Sequence, residues 1–197
     1  MRIIKTYESF EFSNIKSVGE LQSKLSDYSI PVSLWGTGYA KTIEHLLDEI
    51  LNEECIIKEV NGYLVRFIEF VGVRVLYKDE NGETWLLKED RQEFKDGRIR
   101  RRNMPSSVSE KMKFGEDASI SALRGIKEEL GIDISLNQLI KQRPFIYDGS
   151  SQSYPGLKSK YKGNHFTCYL NKEQFHKEGY VEEQKDKSTY FIWYKRD

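Results

Sequence analysis

The feature that most constrains this chain is residues 63–78, YLVRFIEFVGVRVLYK, a run dense in β-branched and aromatic side chains with no proline and one glycine. Such a run packs well on a pleated surface and predicts a long strand. It follows Asn61-Gly62, the strongest short-range hairpin signal, so residues 55–60 read as the preceding strand. Gly72 is expected to mark a bulge or a strand break. Turns at 79–82 (DENG) and at Lys95-Asp96-Gly97 fold the chain back into TWLLKEDRQEF and RIRRR, an antiparallel meander. Further strands are expected at 143–147, 164–170 and 188–195, with helices at about 118–130 and 135–141. Strands interleaved with helices give an α+β or α/β fold.

Residues 1–54 have a different texture. Ser17 with Glu20 three positions later predicts a capping box opening a helix through about Tyr28, and Pro31 ends that segment. A second helix is expected over 39–52, with Ile43, Leu46, Leu47, Ile50 and Leu51 on one face. The division expected is an N-terminal helical extension over 1–54 and a main domain over 55–197. The extension reads as a lid or brace, with Trp35 or Lys41 reaching a ligand as the alternative.

Composition sets outer limits. The 197 residues are 38% hydrophobic and 13% aromatic, enough to build a core at this length. Lys+Arg and Asp+Glu are both 31, which argues against a globally basic nucleic-acid binder. No stretch approaches the apolar length of a transmembrane helix. The opening MRIIKTYESFEF lacks the apolar core of a signal peptide. Cys55 and Cys168 are far apart and fit small apolar roles in a reducing, cytoplasmic setting. His45, His165 and His176 have no metal-ligand spacing.

The segment GEDASISALRGIKEELGI, residues 115–132, carries the chemistry. Asp117 suits the N-cap, Gly131 suits the left-handed position after the helix, and Ala122, Leu123, Ile126 and Leu130 form an apolar stripe. Arg124, Glu128 and Glu129 lie on another side. Adjacent carboxylates are hard oxygen ligands suited to Mg²⁺ or Mn²⁺.

This segment resembles the Nudix box, GX₅EX₇REUXEEXGU, with U a bulky aliphatic residue. Glu116, Arg124, Ile126, Glu128, Glu129, Gly131 and Ile132 fall in register. Two positions depart: Glu110 stands where the first glycine belongs, and Gly125 where a metal-binding glutamate belongs. The resemblance covers about residues 55–197 and implies a Nudix-type α/β/α sandwich with a mixed sheet, to which the helical extension is added. It implies Glu128 and Glu129 as ligands for Mg²⁺ or Mn²⁺ and Glu116 and Arg124 as further catalytic-site residues. It also implies hydrolysis of a nucleoside diphosphate linked to another group, a nucleotide-type small-molecule substrate, and a homodimer as one assembly to expect. The departures leave open a second class, a Nudix-fold module that binds a nucleotide or a partner protein without turnover. Gly125 either reflects a lost ligand or permits close packing. A replacement carboxylate is sought in Glu110, Glu116, Glu182 or Glu183, the last two read as a loop before the final strand.

Candidate phosphate contacts are Arg98, Arg100 and Arg102, which share one face if 98–102 is a strand, and Lys111 in the box loop. The competing expectation is an edge strand kept soluble by charge. Tyr147, Tyr154 and Tyr161 read as core anchors or as a platform for a base.

Overall fold

The computed structural model describes residues 14–196; the N-terminal stretch weighed as a signal sequence lies outside them. Its helices and strands run α1 (Val18–Asp27), α2 (Ile43–Leu51), β1 (Ile56–Val60), β2 (Tyr63–Lys78), β3 (Thr84–Phe94), β4 (Ile99–Arg100), β5 (Val108–Lys111) and α3 (Ala118–Leu130). They continue with β6 (Leu139–Lys141), β7 (Phe145–Ser150), β8 (Lys158–Leu170), β9 (Tyr180–Glu183) and β10 (Lys187–Lys195). The chain is α+β, as expected. The main strand order is β6-β8-β2-β3-β10-β9, with β1 and β5 pairing with β2, β4 with β3, and β7 with β8. The β1–β2, β2–β3, β2–β5, β3–β10, β9–β10 and β6–β8 ladders are antiparallel. Among the described residues no helix is long and apolar enough to cross a membrane.

The chain divides into two compact units. Among the described residues, one comprises those from 14 to 69 with Lys113–Gly115 and Ile146–Lys162; the other comprises Phe70–Met112, Glu116–Phe145 and 163–196.

In the first unit, the Ser17 hydroxyl accepts from the Glu20 amide, and the Glu20 carboxylate answers one residue early, at the Lys16 amide. Helix α2 begins at Ile43, later than the expected 39, because Thr42 is its cap and the turn through Gly36 and Gly38, both at positive φ, precedes it. Ile43, Leu46, Leu47 and Ile50 are buried with Leu21, Leu25, Ile57 and Leu64, whereas Leu51, expected on the same face, is exposed. Asn61 and Gly62 both take positive φ, the condition of a tight type I′ hairpin turn. The buried Arg66 guanidinium pairs with buried Glu49, which also takes the Lys41 ammonium at 2.8 Å. Tyr154 is fully buried 5.0 Å from the Trp35 ring, so both are core anchors; Tyr147 stacks on Tyr161.

The second unit has its own core, in which Val71, Val73, Val75, Leu87, Phe166 and Phe191 from the strands meet Ala122, Ile126 and Leu130 of α3. Strand β2 continues through Gly72 without a break. A β-carbon at 72 would lie 2.5 Å from Ser106 Oγ and 3.0 Å from His165 Cε1, so glycine there serves close packing. Helix α3 matches its sequence signals. Asp117 accepts from the Ser119 and Ile120 amides, and Gly131 takes φ 70°. The expected helix at 135–141 is a single 3-10 turn, Leu136–Gln138, leading into β6. Cys55 and Cys168 are free and buried.

Because Ile126 is fully buried where α3 meets the strands, Ile126→Ala should lower the unfolding free energy by about 2–5 kcal/mol. Urea denaturation measures this; a loss well under 1 kcal/mol would contradict the packing.

Candidate functional site

A register fault opens the site. In the β3–β10 ladder, Tyr190 opposes Arg91 but Phe191 opposes Glu89, so Asp90 is an extra residue on β3. Strand side chains alternate between faces, and one inserted residue reverses that phase. Leu87 and Glu89 are buried before the fault and Gln92 after it. Glu89 and Gln92 therefore line one cavity of about 310 Å³, although their spacing in an unbroken strand would send them to opposite faces.

Five glutamates line that cavity: Glu89 of β3, Glu110 of β5, Glu128 and Glu129 of α3, and Glu182 of β9. Two guanidiniums offset part of the charge. Arg102, which also lines it, grips Glu89 with Nε at 2.8 Å from Oε1 and Nη2 on Oε2, a bidentate charge-assisted pair. Arg124 donates to Glu110 at 2.7 Å, to both oxygens of Glu116, and to the Lys111 carbonyl at 3.2 Å; the Glu128 carboxylate lies 3.8 Å away. Arg124 thus ties the loop and β5 to α3. Glu129 is fixed by the Ser109 amide, which donates to its Oε1 at 3.3 Å.

Burial, then the negative charge of Glu182, pushes the Glu129 carboxyl up to about 8. Beside these groups the Gln92 Oε1 and Thr189 Oγ1 atoms are buried and lack a hydrogen-bond partner, and the two residues are directly paired across β3 and β10. Buried polar atoms without partners are uncommon and point to water or a ligand. Among the described residues no three His, Cys, Asp or Glu side chains form a ready-made metal cluster. The donor chemistry nonetheless fits a divalent cation: several glutamates line one space, and burial together with the Glu182 charge disfavours the charged form of Glu129.

The structure thus brings Arg102, Glu128 and Glu129 of the expected residues to one cavity, with Glu110 and Glu182 from the replacement candidates. Glu116 stands behind, held by Arg124. Arg98 and Arg100 do not join Arg102: β4 spans only Ile99–Arg100, Arg98 turns to Asp96, and Arg100 is exposed opposite Gln92. Lys111 pairs with Phe70 in the β2–β5 ladder and is not among the lining residues. Glu182 and Glu183 form part of strand β9 instead of a loop, and alternation sends Glu182 to the cavity while Glu183 accepts from the Ser188 hydroxyl. Sequence reasoning missed Glu89, Gln92 and Thr189. The polar letters at 89 and 92 inside a predicted strand were the available signal, but the fault at Asp90 is not written in residue types.

No family model and no curated protein matches the sequence. Among solved structures, the chain is similar to a C. elegans Ap4A hydrolase at 14% identity and TM-score 0.37, covering 66% of this chain and 80% of that one. A MutT/nudix family protein from Enterococcus faecalis aligns at 14% identity and TM-score 0.44 over 92% of this chain and 57% of that one. The E. coli dihydroneopterin triphosphate pyrophosphohydrolase aligns at 20% identity and TM-score 0.38 over 64% and 78%. Similarities this slight leave the functional reading to the site's own residues.

Glu129 binds its proton more tightly in the folded chain than in the unfolded one. Its contribution to stability is therefore fully present below the ordinary value of 4.5 and is lost as pH rises to about 8. In metal-free protein, Glu129→Gln should match the parent in thermal stability near pH 4.5 and exceed it progressively toward about pH 8. Parallel profiles across that range would contradict the raised affinity.

Proposed function

We propose that this chain is a divalent-metal-dependent hydrolase of the Nudix type, cleaving a diphosphate bond in a nucleoside diphosphate linked to another group. The observation that carries this reading is the convergence of five glutamates on one cavity. Glu128 and Glu129, on one turn of α3, would hold Mg²⁺ or Mn²⁺. When bound, such an ion neutralises phosphate charge and acidifies a water for in-line attack.

The chain's own residues have separable tasks. The Ser109 amide orients the Glu129 carboxylate, and Arg124 keeps β5 and the loop carboxylate Glu116 against α3. Arg102 and Lys187 line the cavity as cations able to meet phosphate oxygens, Arg102 with its planar fork already set by Glu89. Gln92 and Thr189 complete the polar wall of the cavity.

A second reading, a module that binds a nucleotide-type ligand without turnover, draws on the separation of the carboxylates, two of which are held by arginines. Turnover decides between the two. A panel of ADP-ribose, NADH, dinucleoside polyphosphates, nucleotide sugars and nucleoside triphosphates, supplied with Mg²⁺ or Mn²⁺, should yield hydrolysis of at least one member. Glu129→Gln should lower that rate about a hundred-fold or more. Ligand binding without hydrolysis by folded protein would establish the binding module instead.

A further inference from the structure

The two positions at which the sequence departs from the box, 110 and 125, are distant in the chain but in contact in the fold. Strand alternation puts Glu110 on the same face of β5 as Val108, which is buried in the core that contains Ala122 and Ile126 of α3. A β-carbon placed on Gly125 would lie 3.0 Å from Glu110 Cβ, 3.2 Å from Val108 Cγ1 and 3.5 Å from Glu110 Cγ. Gly125 is buried within α3, where glycine costs about 1 kcal/mol of helix propensity relative to alanine. That cost has a structural counterpart: the space a side chain at 125 would occupy holds the stem of Glu110.

We propose that Glu110 and Gly125 form a reciprocal exchange, in which the carboxylate that the box carries on the helix at 125 is delivered to the same cavity from β5 by Glu110. Resting on the metal-dependent reading above, the proposal makes Glu110 a third carboxylate acting on the cation beside Glu128 and Glu129. Glu110 lines the cavity and residue 125 does not. Arg124, at the neighbouring helical position, donates to Glu110 Oε1 at 2.7 Å and so fixes the relocated carboxylate from the helix that gave up its own. Both halves are needed. A glutamate at 125 would press on the Glu110 stem and Val108, which must give by a few tenths of an ångström to admit it, and a glycine at 110 would leave the seam short of a side chain.

The test is a cycle of Glu110→Gly, Gly125→Glu and the double variant, with Glu110→Gln as the isosteric control, read by thermal denaturation and by calorimetric Mn²⁺ titration. Glu110→Gln should stay folded, since it keeps the packing on Gly125, and should bind Mn²⁺ about ten-fold or more weakly than wild type. Gly125→Glu alone should melt lower through overpacking. The double variant should recover much of that loss and should bind Mn²⁺ better than Glu110→Gly alone. Additive stability losses would overturn the exchange, because independent sites add and contacting ones do not. Wild-type Mn²⁺ affinity in Glu110→Gln would overturn the ligand role of Glu110 and leave the function reading standing. Absence of Mn²⁺ binding by the wild type itself would overturn both.

Discussion

Five glutamates line one cavity of the second unit, and the rest of the site depends on how their charge is offset. Two of the five are offset by guanidiniums, Glu89 by Arg102 and Glu110 by Arg124. The Glu129 carboxyl meets the problem another way, with a proton affinity raised by burial and by Glu182. A protein has little reason to gather such charge for stability alone, since burying charge costs more than it returns unless each group is paired. In the proposed function, a divalent cation supplies the positive charge that the two guanidiniums leave short.

The fold builds this cavity from irregularities laid on regular elements. An ordinary β3 would have divided Glu89 and Gln92 between two faces; the extra residue at Asp90 unites them. An ordinary helix would have kept a side chain at 125; glycine there lets the Glu110 stem lie against α3. Arg124 then bridges helix, strand and loop in one set of contacts. Each irregularity costs local regularity and places a polar group at the cavity, the pattern expected where function competes with packing.

What the sequence disclosed follows from the range of the forces involved. The Asn61-Gly62 turn, the long β2 and the helix from Asp117 to Gly131 are dictated by local sterics, caps and periodicity, and all are present as expected. Glu128 and Glu129 on one helical turn were legible for the same reason. The late start of α2 comes from the Thr42 cap, strand β9 from its pairing with β10, and the 3-10 turn at Leu136–Gln138 from Gln138 donating to the Tyr169 carbonyl 31 residues on, and periodicity alone shows none of these. Arg98 and Arg100 looked like partners of Arg102 only on the premise of an unbroken strand; β4 is two residues long and Arg102 lies beyond it. The adjacency of Glu110 and Gly125 is tertiary and could not be read from either letter alone.

The most direct test of the central claim is a crystal structure of the wild-type chain grown or soaked with Mn²⁺, with anomalous diffraction recorded to locate the ion. The account predicts an anomalous peak in the cavity at oxygen-ligand distance from Glu129, with Glu128 or Glu110 also in its coordination sphere. A well-ordered cavity without a peak, or an ion bound only elsewhere on the chain, would contradict it.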